Sequence, residues 1–353
     1  MARIFWIVLL CCTTSLLSAQ DKAGAEKLVA EGVDLNDKGD LDGAIAKYDA
    51  GLALDKDNLL CLSEKAYTLR SLKKYVEAVE LCKKAVALYP AAPELKSVYV
   101  SYASSLDNME KYPEALLVYE EGIKVFPDFY LLYFNKAINL ASTEKLDDAA
   151  LCLQKSILLN PKHASSHVLL ARVLAATHQR IPAVLVYGRF LVLEPKGKRA
   201  ETGLKALHES MNGNVKKTGK NNITITVSQS MLGDSTGGKK ENDFHSIDLI
   251  LSLSSALDYD KKNKNKSEVE LFSSKMDMIC SSLQETKKDN SGFYWDYYAP
   301  YFIAMKEKDL VQTFAYIIHA SDEDKSVQKW LQKHPDKIKA FLEWSVQYEW
   351  KKG

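Results

Sequence analysis

An interval of about 34 residues recurs through the first half of this sequence. Alanines recur at Ala44, Ala78, Ala115, Ala149 and Ala183, with separations of 34, 37, 34 and 34. Prolines follow the later blocks at Pro90, Pro127, Pro161 and Pro195, with separations of 37, 34 and 34. Two residue types with one period indicate repeated structural units, each of which buries its apolar face against the next. The longer separation arises around 92–94, where additional residues lengthen one loop.

Each block also contains a small residue followed three positions later by a leucine. These pairs are Gly32 and Leu35, Ala66 and Leu69, Ala103 and Leu106, Ala137 and Leu140, and Ala171 and Leu174. A small side chain lets two helices approach closely, so the pattern predicts two packed helices in every block. These residues resemble the tetratricopeptide repeat family, whose unit is a helix-turn-helix of about 34 residues. The resemblance implies an all-α solenoid of five repeats over 25–197, with boundaries 25–58, 59–92, 96–129, 130–163 and 164–197.

The resemblance also implies a binding groove, because the first helices of such repeats line a concave face that receives a protein or peptide ligand. The positions that correspond here are Ser63, Tyr67, Arg70, Val100, Phe134, Ile138, Val168 and Arg172, together with Val29, Val33 and Ser104. The family's carboxylate clamp needs Lys and Asn where this chain has Val29 and Val33, so that clamp is not expected. Packing against the core or another domain is an equal alternative for this largely apolar stripe.

The first twenty residues have the layout of a secretory signal peptide. Arg3 precedes an apolar run over 4–12, and a polar, small-residue segment ends at Ala19 and Gln20, where we expect cleavage. The predicted location is therefore the periplasm or the exterior, with lipidation at Cys11 or Cys12 as a weaker alternative. No later segment is long and apolar enough to predict a transmembrane helix.

Beyond the repeats, the sequence predicts a capping helix over 198–212, a linker over 213–240 with a short strand near 223–227, and a helical domain over 241–353. The chain as a whole resembles exported bacterial tetratricopeptide repeat proteins with a C-terminal helical extension. The last domain is rich in aromatic residues, among them Trp295, Tyr297 and Tyr298. Such residues form either a sugar-stacking or partner platform or, as the favoured alternative, an aromatic core.

Composition and motifs argue against several function classes. The net charge is +1 and no arginine follows Arg199, so nucleic acid is not an expected partner. No catalytic motif occurs, and we expect neither a catalytic residue nor a cofactor. The pair His163 and His167 has no third ligand nearby, so no metal site is expected. We interpret the cysteines of the exported chain as core thiols rather than disulfides: Cys61, Cys82, Cys152 and Cys280.

The sequence-based hypothesis is a non-enzymatic adaptor or scaffold of the bacterial cell envelope that holds a protein partner in its groove. The alternative is an enzyme or glycan-binding protein with its site on the aromatic C-terminal domain and the repeats as support. Self-association through the repeats is a third hypothesis.

Overall fold

The computed structural model describes residues 22–219, 222–227, 229–232 and 241–351. The predicted signal peptide over 1–20 lies outside the described residues, as does the whole segment 233–240. The described chain divides into two compact units, with the boundary between Lys145 and Leu146. The repeat at 130–163 thus contributes its first helix to unit 1 and its second helix to unit 2.

Unit 1 consists of consecutive antiparallel helices joined by short turns. Its helices are α1 (22–37), α2 (Leu41–Leu54), α3 (Leu59–Ser71), α4 (Tyr75–Leu88), α5 (Leu95–Asn108), α6 (Tyr112–Val125) and α7 (Tyr130–Ser142).

One turn geometry joins the two helices of every repeat. The carbonyl of the repeated leucine accepts a hydrogen bond from the backbone N–H five residues later, as in Lys74 N to Leu69 O at 2.8 Å. The residue before that donor has a positive φ, which closes the helix end in a Schellman-type cap. The same left-handed position recurs at Gly39, Lys73, Glu110, Glu144 and His178. This turn reverses the chain at one fixed point in each repeat.

Small residues set the distance between the helices of unit 1. A Cβ on Gly32 would lie 2.4 Å from the Tyr48 ring, and a Cβ on Gly51 would lie 2.6 Å from Cys61 Sγ. Tyr48 and Cys61 are therefore packed directly on glycine backbone, and both are buried. The small positions identified in the sequence are the points where neighbouring helices touch.

Unit 2 begins with the last repeat helices and continues into the C-terminal region. Its helices are α8 (Leu146–Leu159), α9 (Ala164–Ala176), α10 (Arg180–Leu193), α11 (Lys198–Asn212), α12 (Gln229–Leu232), α13 (His245–Leu257), α14 (Glu268–Thr286), a π-helix (Tyr294–Tyr298), α15 (Ala299–Glu307), α16 (Val311–Ile318), α17 (Lys325–Lys333) and α18 (Pro335–Gln347).

Part of the segment interpreted as a linker is folded. Strand β1 (Val215–Lys217) pairs antiparallel with β2 (Ile223–Ile225), with Val215 opposite Ile225. Asn214 anchors the hairpin on α13, because its Nδ2 donates to Ser252 Oγ at 2.8 Å. Among the described residues, this part of 213–240 therefore packs on unit 2.

Helix α10 is the centre of unit 2. Every residue from Ile181 to Val192 is buried, so this helix has no solvent-facing side along that stretch. A Cβ on Gly188 would lie 3.0 Å from Phe314 Cζ, and a Cβ on Gly203 would lie 2.6 Å from Phe190 Cε1. Helices α11 and α16 therefore contact α10 through close glycine and aromatic contacts.

The aromatic residues of the C-terminal region form a core rather than a surface platform. Trp295, Tyr297 and Tyr298 are all buried. Trp295 stacks on Phe244 with a centroid distance of 4.4 Å, and Tyr301 stacks on Trp350 at 4.9 Å. The alternative enzymatic or glycan-binding site required exposed rings. Trp295, Tyr297 and Tyr298 therefore do not form it.

His167 lies in this core as a neutral imidazole. Its Nε2 is 3.0 Å from Pro161 O, and its Nδ1 is 2.8 Å from the Tyr298 hydroxyl. Since a carbonyl oxygen can only accept, Nε2 carries the proton and Nδ1 accepts from Tyr298. Burial lowers the pKa of His167 to about 3, and the charge of Arg189 acts in the same direction. The folded chain therefore favours the neutral form.

Acid is expected to destabilise unit 2 through His167. Its folded pKa lies below the unfolded value of 6.5, so its contribution to stability is complete above pH 6.5 and is lost as the pH falls toward 3. At pH 5 this residue alone is expected to lower the free energy of unfolding by about 2 kcal/mol relative to pH 8. Urea denaturation followed by tryptophan fluorescence measures this change. The signal reports unit 2, which contains Trp295, Trp330, Trp344 and Trp350.

The variant His167→Gln retains an N–H donor for Pro161 O but cannot take up the proton. We expect a smaller loss of stability between pH 8 and pH 5 than in the wild type, while the same substitution at the exposed His178 serves as the control. The remaining loss includes His163, whose pKa burial also lowers. It further includes His208 and His319, whose Nε2 atoms lie 2.9 Å apart and whose pKa values burial lowers to about 4. An equal pH dependence in the wild type and His167→Gln would contradict this assignment.

Candidate partner-binding groove

Six of the predicted groove residues lie on the first helices of unit 1, which we call the unit 1 groove face. They are Ser63, Tyr67 and Arg70 on α3, Val100 on α5, and Phe134 and Ile138 on α7. Tyr67 is 44% exposed and Ile138 is 39% exposed. The other four are half-buried, and Val100 also packs against the core of unit 1. Tyr67 and Ile138 thus supply the exposed apolar surface on this face.

Arg70 is the cation of the unit 1 groove face. Its Cζ lies 5.2 Å from the centroid of the Tyr67 ring, within the range of a cation–π contact. Its Nε is buried without a hydrogen-bond partner, and it forms no ion pair within the described part of the chain. Arg70 therefore presents a positive charge beside an exposed aromatic ring, with no carboxylate of the described chain to neutralise it.

A buried polar network lies beside these residues on α5, α6 and α7. Asp107 accepts hydrogen bonds from the Tyr119 hydroxyl at 2.8 Å and from Asn139 Nδ2 at 2.6 Å. Because the Tyr119 proton is directed to the carboxylate, Ser104 Oγ donates to Tyr119 at 3.1 Å. Burial raises the pKa of Asp107, while the two hydrogen bonds lower it. The network fixes three helices to one another by mutually satisfied polar groups.

Arg70 also acts on this network. Burial raises the pKa of the Tyr119 hydroxyl, the charge of Asp107 raises it further, and the charge of Arg70 opposes both. The unit 1 groove face therefore combines a cation with an exposed ring, and the charge of the cation reaches the buried network. Such a surface can hold a peptide through apolar contacts and a charge-assisted hydrogen bond.

The other two predicted residues lie on α9 in unit 2. Val168 is half-buried and Arg172 is exposed. Burial raises the pKa of Tyr187 on α10, and the charge of Arg172 opposes that effect. Both residues belong to unit 2, so they are not part of the unit 1 groove face.

Two wider groove assignments need correction, because Val29 and Ser104 are buried. Val29 packs with Tyr48 and Cys61. Val29 and Ser104 therefore belong to the helix packing of unit 1 rather than to an exposed face. Val33 is half-buried, as Val100 is, and packs against the same core as Val29.

In the described ranges, no group of three or more His, Cys, Asp or Glu side chains has the arrangement of a metal site. His163 Nδ1 contacts Ser166 Oγ at 2.7 Å and His167 is held by Pro161 and Tyr298, so this pair does not converge on one point. Burial raises the pKa of the Cys82 and Cys280 thiols to about 12, as expected for core thiols. No helix in the described ranges is both long enough and apolar enough for a membrane crossing.

The sequence analysis did not identify Asp107, Asn139 or Tyr119 as members of a buried polar network. Asn139 stands at a helix position where an apolar residue would serve equally well for packing. Its polar side chain lies within an apolar helix face. Because buried amides require hydrogen bonds, this pattern indicates that another residue must hydrogen-bond to Asn139. The spacing of 32 residues between Asp107 and Asn139 places them on neighbouring first helices.

Two tyrosines at the same repeat position provide a test of the network. Tyr119→Phe is expected to lower the free energy of unfolding by about 1–3 kcal/mol, because it leaves a buried Asp107 oxygen without its donor. The Tyr48 hydroxyl is buried without a hydrogen-bond partner among the described residues. Tyr48→Phe is therefore expected to be neutral or stabilising. Urea denaturation followed by circular dichroism compares the two, and equal losses would contradict the network.

Comparison with known proteins agrees with the repeat interpretation. Residues 29–93 match the family model described as tetratricopeptide repeat. None of the curated proteins matches the sequence.

Solved structures of the same helical type cover about half of this chain. TTC0263, a thermophilic TPR protein of Thermus thermophilus, is 21% identical, with a TM-score of 0.44, over 52% of this chain and 99% of that one. PilF of Pseudomonas aeruginosa is 17% identical, with a TM-score of 0.45, over 54% and 90% of the two chains. PilW, described as a type IV pilus biogenesis factor, is 17% identical, with a TM-score of 0.46, over 53% and 90%. The family match at 29–93 and the consecutive helix pairs identify the fold as all-α, with helix-turn-helix repeats of the tetratricopeptide type followed by a C-terminal helical region.

Proposed function

We propose that this chain is a protein-interaction scaffold that binds a peptide segment of a partner on the unit 1 groove face. The observation that carries the proposal is the unneutralised Arg70 guanidinium stacked beside the exposed Tyr67 ring. A partner segment that fits this pair carries an apolar side chain next to a carboxylate. Ile138 offers a second apolar contact on the same set of helices.

Exposed apolar residues alone would be weak support, because single ones are common on protein surfaces. Leu117 lies on α6, which is the second helix of its repeat, and it is 67% exposed. What distinguishes Tyr67 is the adjacent cation without a counter-ion, together with its place on a first helix. Leu117 supplies a matched control for exposed apolar surface outside this face.

The cellular part of the proposal is export to the cell envelope. It is supported by the charged start, apolar run and small-residue exit of residues 1–20. We propose that cleavage after Ala19 or Gln20 releases the chain into the periplasm or the exterior, where its partner is expected.

Peptide selection tests the groove. We expect random peptides displayed on phage and selected on the mature chain to converge on an apolar residue next to a carboxylate. Tyr67→Ala is expected to weaken binding of the selected peptide about tenfold or more, since buried aromatic anchors dominate such interfaces. Isothermal titration calorimetry with a synthetic peptide measures the change.

Leu117→Ala should bind the same peptide as the wild type does. Arg70→Met should weaken a peptide that has the carboxylate but not one in which that carboxylate is amidated. Equal affinities of Tyr67→Ala, Ile138→Ala and the wild type would contradict groove binding. Light scattering tests the alternative of self-association. If it shows a dimer that the Tyr67→Ala substitution dissociates, the partner on this face is a second copy of the chain rather than a peptide.

The export proposal predicts a processed N-terminus. When the full chain is produced in a bacterial host, N-terminal sequencing of the envelope fraction is expected to begin at Gln20 or Asp21. Leu9→Arg interrupts the apolar run and should leave the unprocessed chain in the cytoplasm. An unprocessed wild-type chain that begins at residue 1 or 2 would overturn this part of the proposal.

A further inference from the structure

A cavity of about 1120 Å³ lies within unit 2, apart from the unit 1 groove face. Its walls are the end of α8 with the turn that follows, the last turns of α10, and α18 with the chain after it. The lining residues that carry the argument are Lys155, Lys162, Arg189, Leu193, Val346 and Trp350. A space of this size is sufficient for a small organic ligand.

Arg189 is a buried cation on the wall of this cavity. Only 4% of the residue is exposed. Its Cζ lies 4.8 Å from the Trp350 ring centroid and 5.4 Å from that of Tyr301, and Nη1 donates to Ser345 Oγ at 3.0 Å. Its Nε is buried without a hydrogen-bond partner, and Arg189 forms no ion pair in the described part of the chain. A buried guanidinium in this condition lacks the anion that normally accompanies it.

Arg180, on the same helix, shows how this chain satisfies a buried arginine. Its Nη1 pairs with Asp248 at 2.5 Å and also contacts Ser252 Oγ at 3.0 Å. Its Nε donates to Ser210 O and its Nη2 to Met211 O. Among the described residues, Arg189 has aromatic faces and the hydroxyls of Ser345 and Tyr301 in place of that set. The contrast indicates that no described part of the chain supplies a counter-ion to Arg189.

The rim of the cavity is positively charged, as Arg189 is. Three lysines of the described chain line it, Lys155, Lys162 and Lys351, and only one carboxylate does, that of Glu349. None of the three lysines forms an ion pair among the described residues. The potential at the cavity therefore favours an anion.

The remaining lining is apolar. Leu158, Leu193 and Val346 face the cavity from three different helices. Val346 is 67% exposed although it is a large apolar residue on the last helix. An anion that fills this space must therefore carry an apolar body in addition to its charged group.

We propose that this cavity binds an amphiphilic carboxylate of the fatty-acid class, with its head group on Arg189 and its apolar chain along Leu193 and Val346. A planar carboxylate matches the planar guanidinium, and hydrogen bonds between charged groups are stronger than neutral ones. The proposal rests on unit 2 alone and does not depend on peptide binding by unit 1.

Calorimetry with dodecanoate as the probe tests the proposal. We expect saturable binding of one dodecanoate per chain, together with a higher melting temperature in its presence. Dodecylamine has the same chain with a positive head, and the lysine rim should exclude it. Equal binding of the two amphiphiles would overturn the proposal, because it would show a non-specific apolar surface.

Two variants separate the head-group contact from the apolar wall. Arg189→Met keeps the length of the side chain and removes the charge, so dodecanoate should bind about 10- to 100-fold more weakly, while the unliganded variant melts at or above the wild-type temperature. Val346→Trp fills the cavity from an exposed position and should also weaken binding at least tenfold. The same substitution at Val76, which is 61% exposed in unit 1, is the matched control and should bind dodecanoate normally.

The two proposals fail independently. Tyr67→Ala should bind dodecanoate as the wild type does, and Val346→Trp should bind the selected peptide as the wild type does. Wild-type affinity for dodecanoate in both Arg189→Met and Val346→Trp would overturn the cavity assignment. If Arg189→Met does not fold, Val346→Trp alone decides the result.

Discussion

The left-handed turn between the two helices of each repeat is the constraint on which the architecture depends. In every repeat a leucine carbonyl accepts from an N–H five residues later, and the residue between them has a positive φ. Four of the five left-handed residues are not glycine, and that conformation costs roughly 1 kcal/mol or more for an ordinary side chain. The cost is offset because the turn fixes the helix pairing by which each leucine and its small neighbour are buried. The same geometry recurs between α15 and α16, where Asp309 has a φ of 55° and Leu310 N donates to Met305 O.

Local periodicity predicted the helical repeats because it expresses contacts within one unit or between neighbours. The pairs Gly32 with Tyr48 and Asp107 with Asn139 lie within one or two repeat lengths of each other. Contacts in unit 2 span much greater distances along the chain, as in Arg189 with Ser345, which are 156 residues apart. No periodicity connects such residues, so the cavity was not predictable. Phe190 is a large residue at a position that is small in the earlier repeats, as at Gly51 and Gly122, and Gly203 accommodates its ring.

Arg70 and Arg189 show how burial changes what one residue type can do. Arg70 is half-buried beside an exposed ring, so water can hydrate part of its charge and any partner must compete with that water. Arg189 is almost wholly removed from water, so an anion that reaches it recovers a larger share of its electrostatic energy. The groove therefore suits a reversible contact with a peptide, and the cavity suits a ligand that is held more tightly.

Helix α10 has an uninterrupted buried surface from Ile181 to Val192, and its absence of a polar face has a consequence for how the chain is made. The ribosome releases this helix well before Phe302 and Phe314, which cover it at Gly188. Helices α9 and α11 cover part of α10, but until those residues emerge the nascent chain exposes the side of α10 around Gly188. The C-terminal region therefore covers the second helix of the last repeat. A chain shortened by premature termination would expose the apolar surface of α10, which is prone to aggregate.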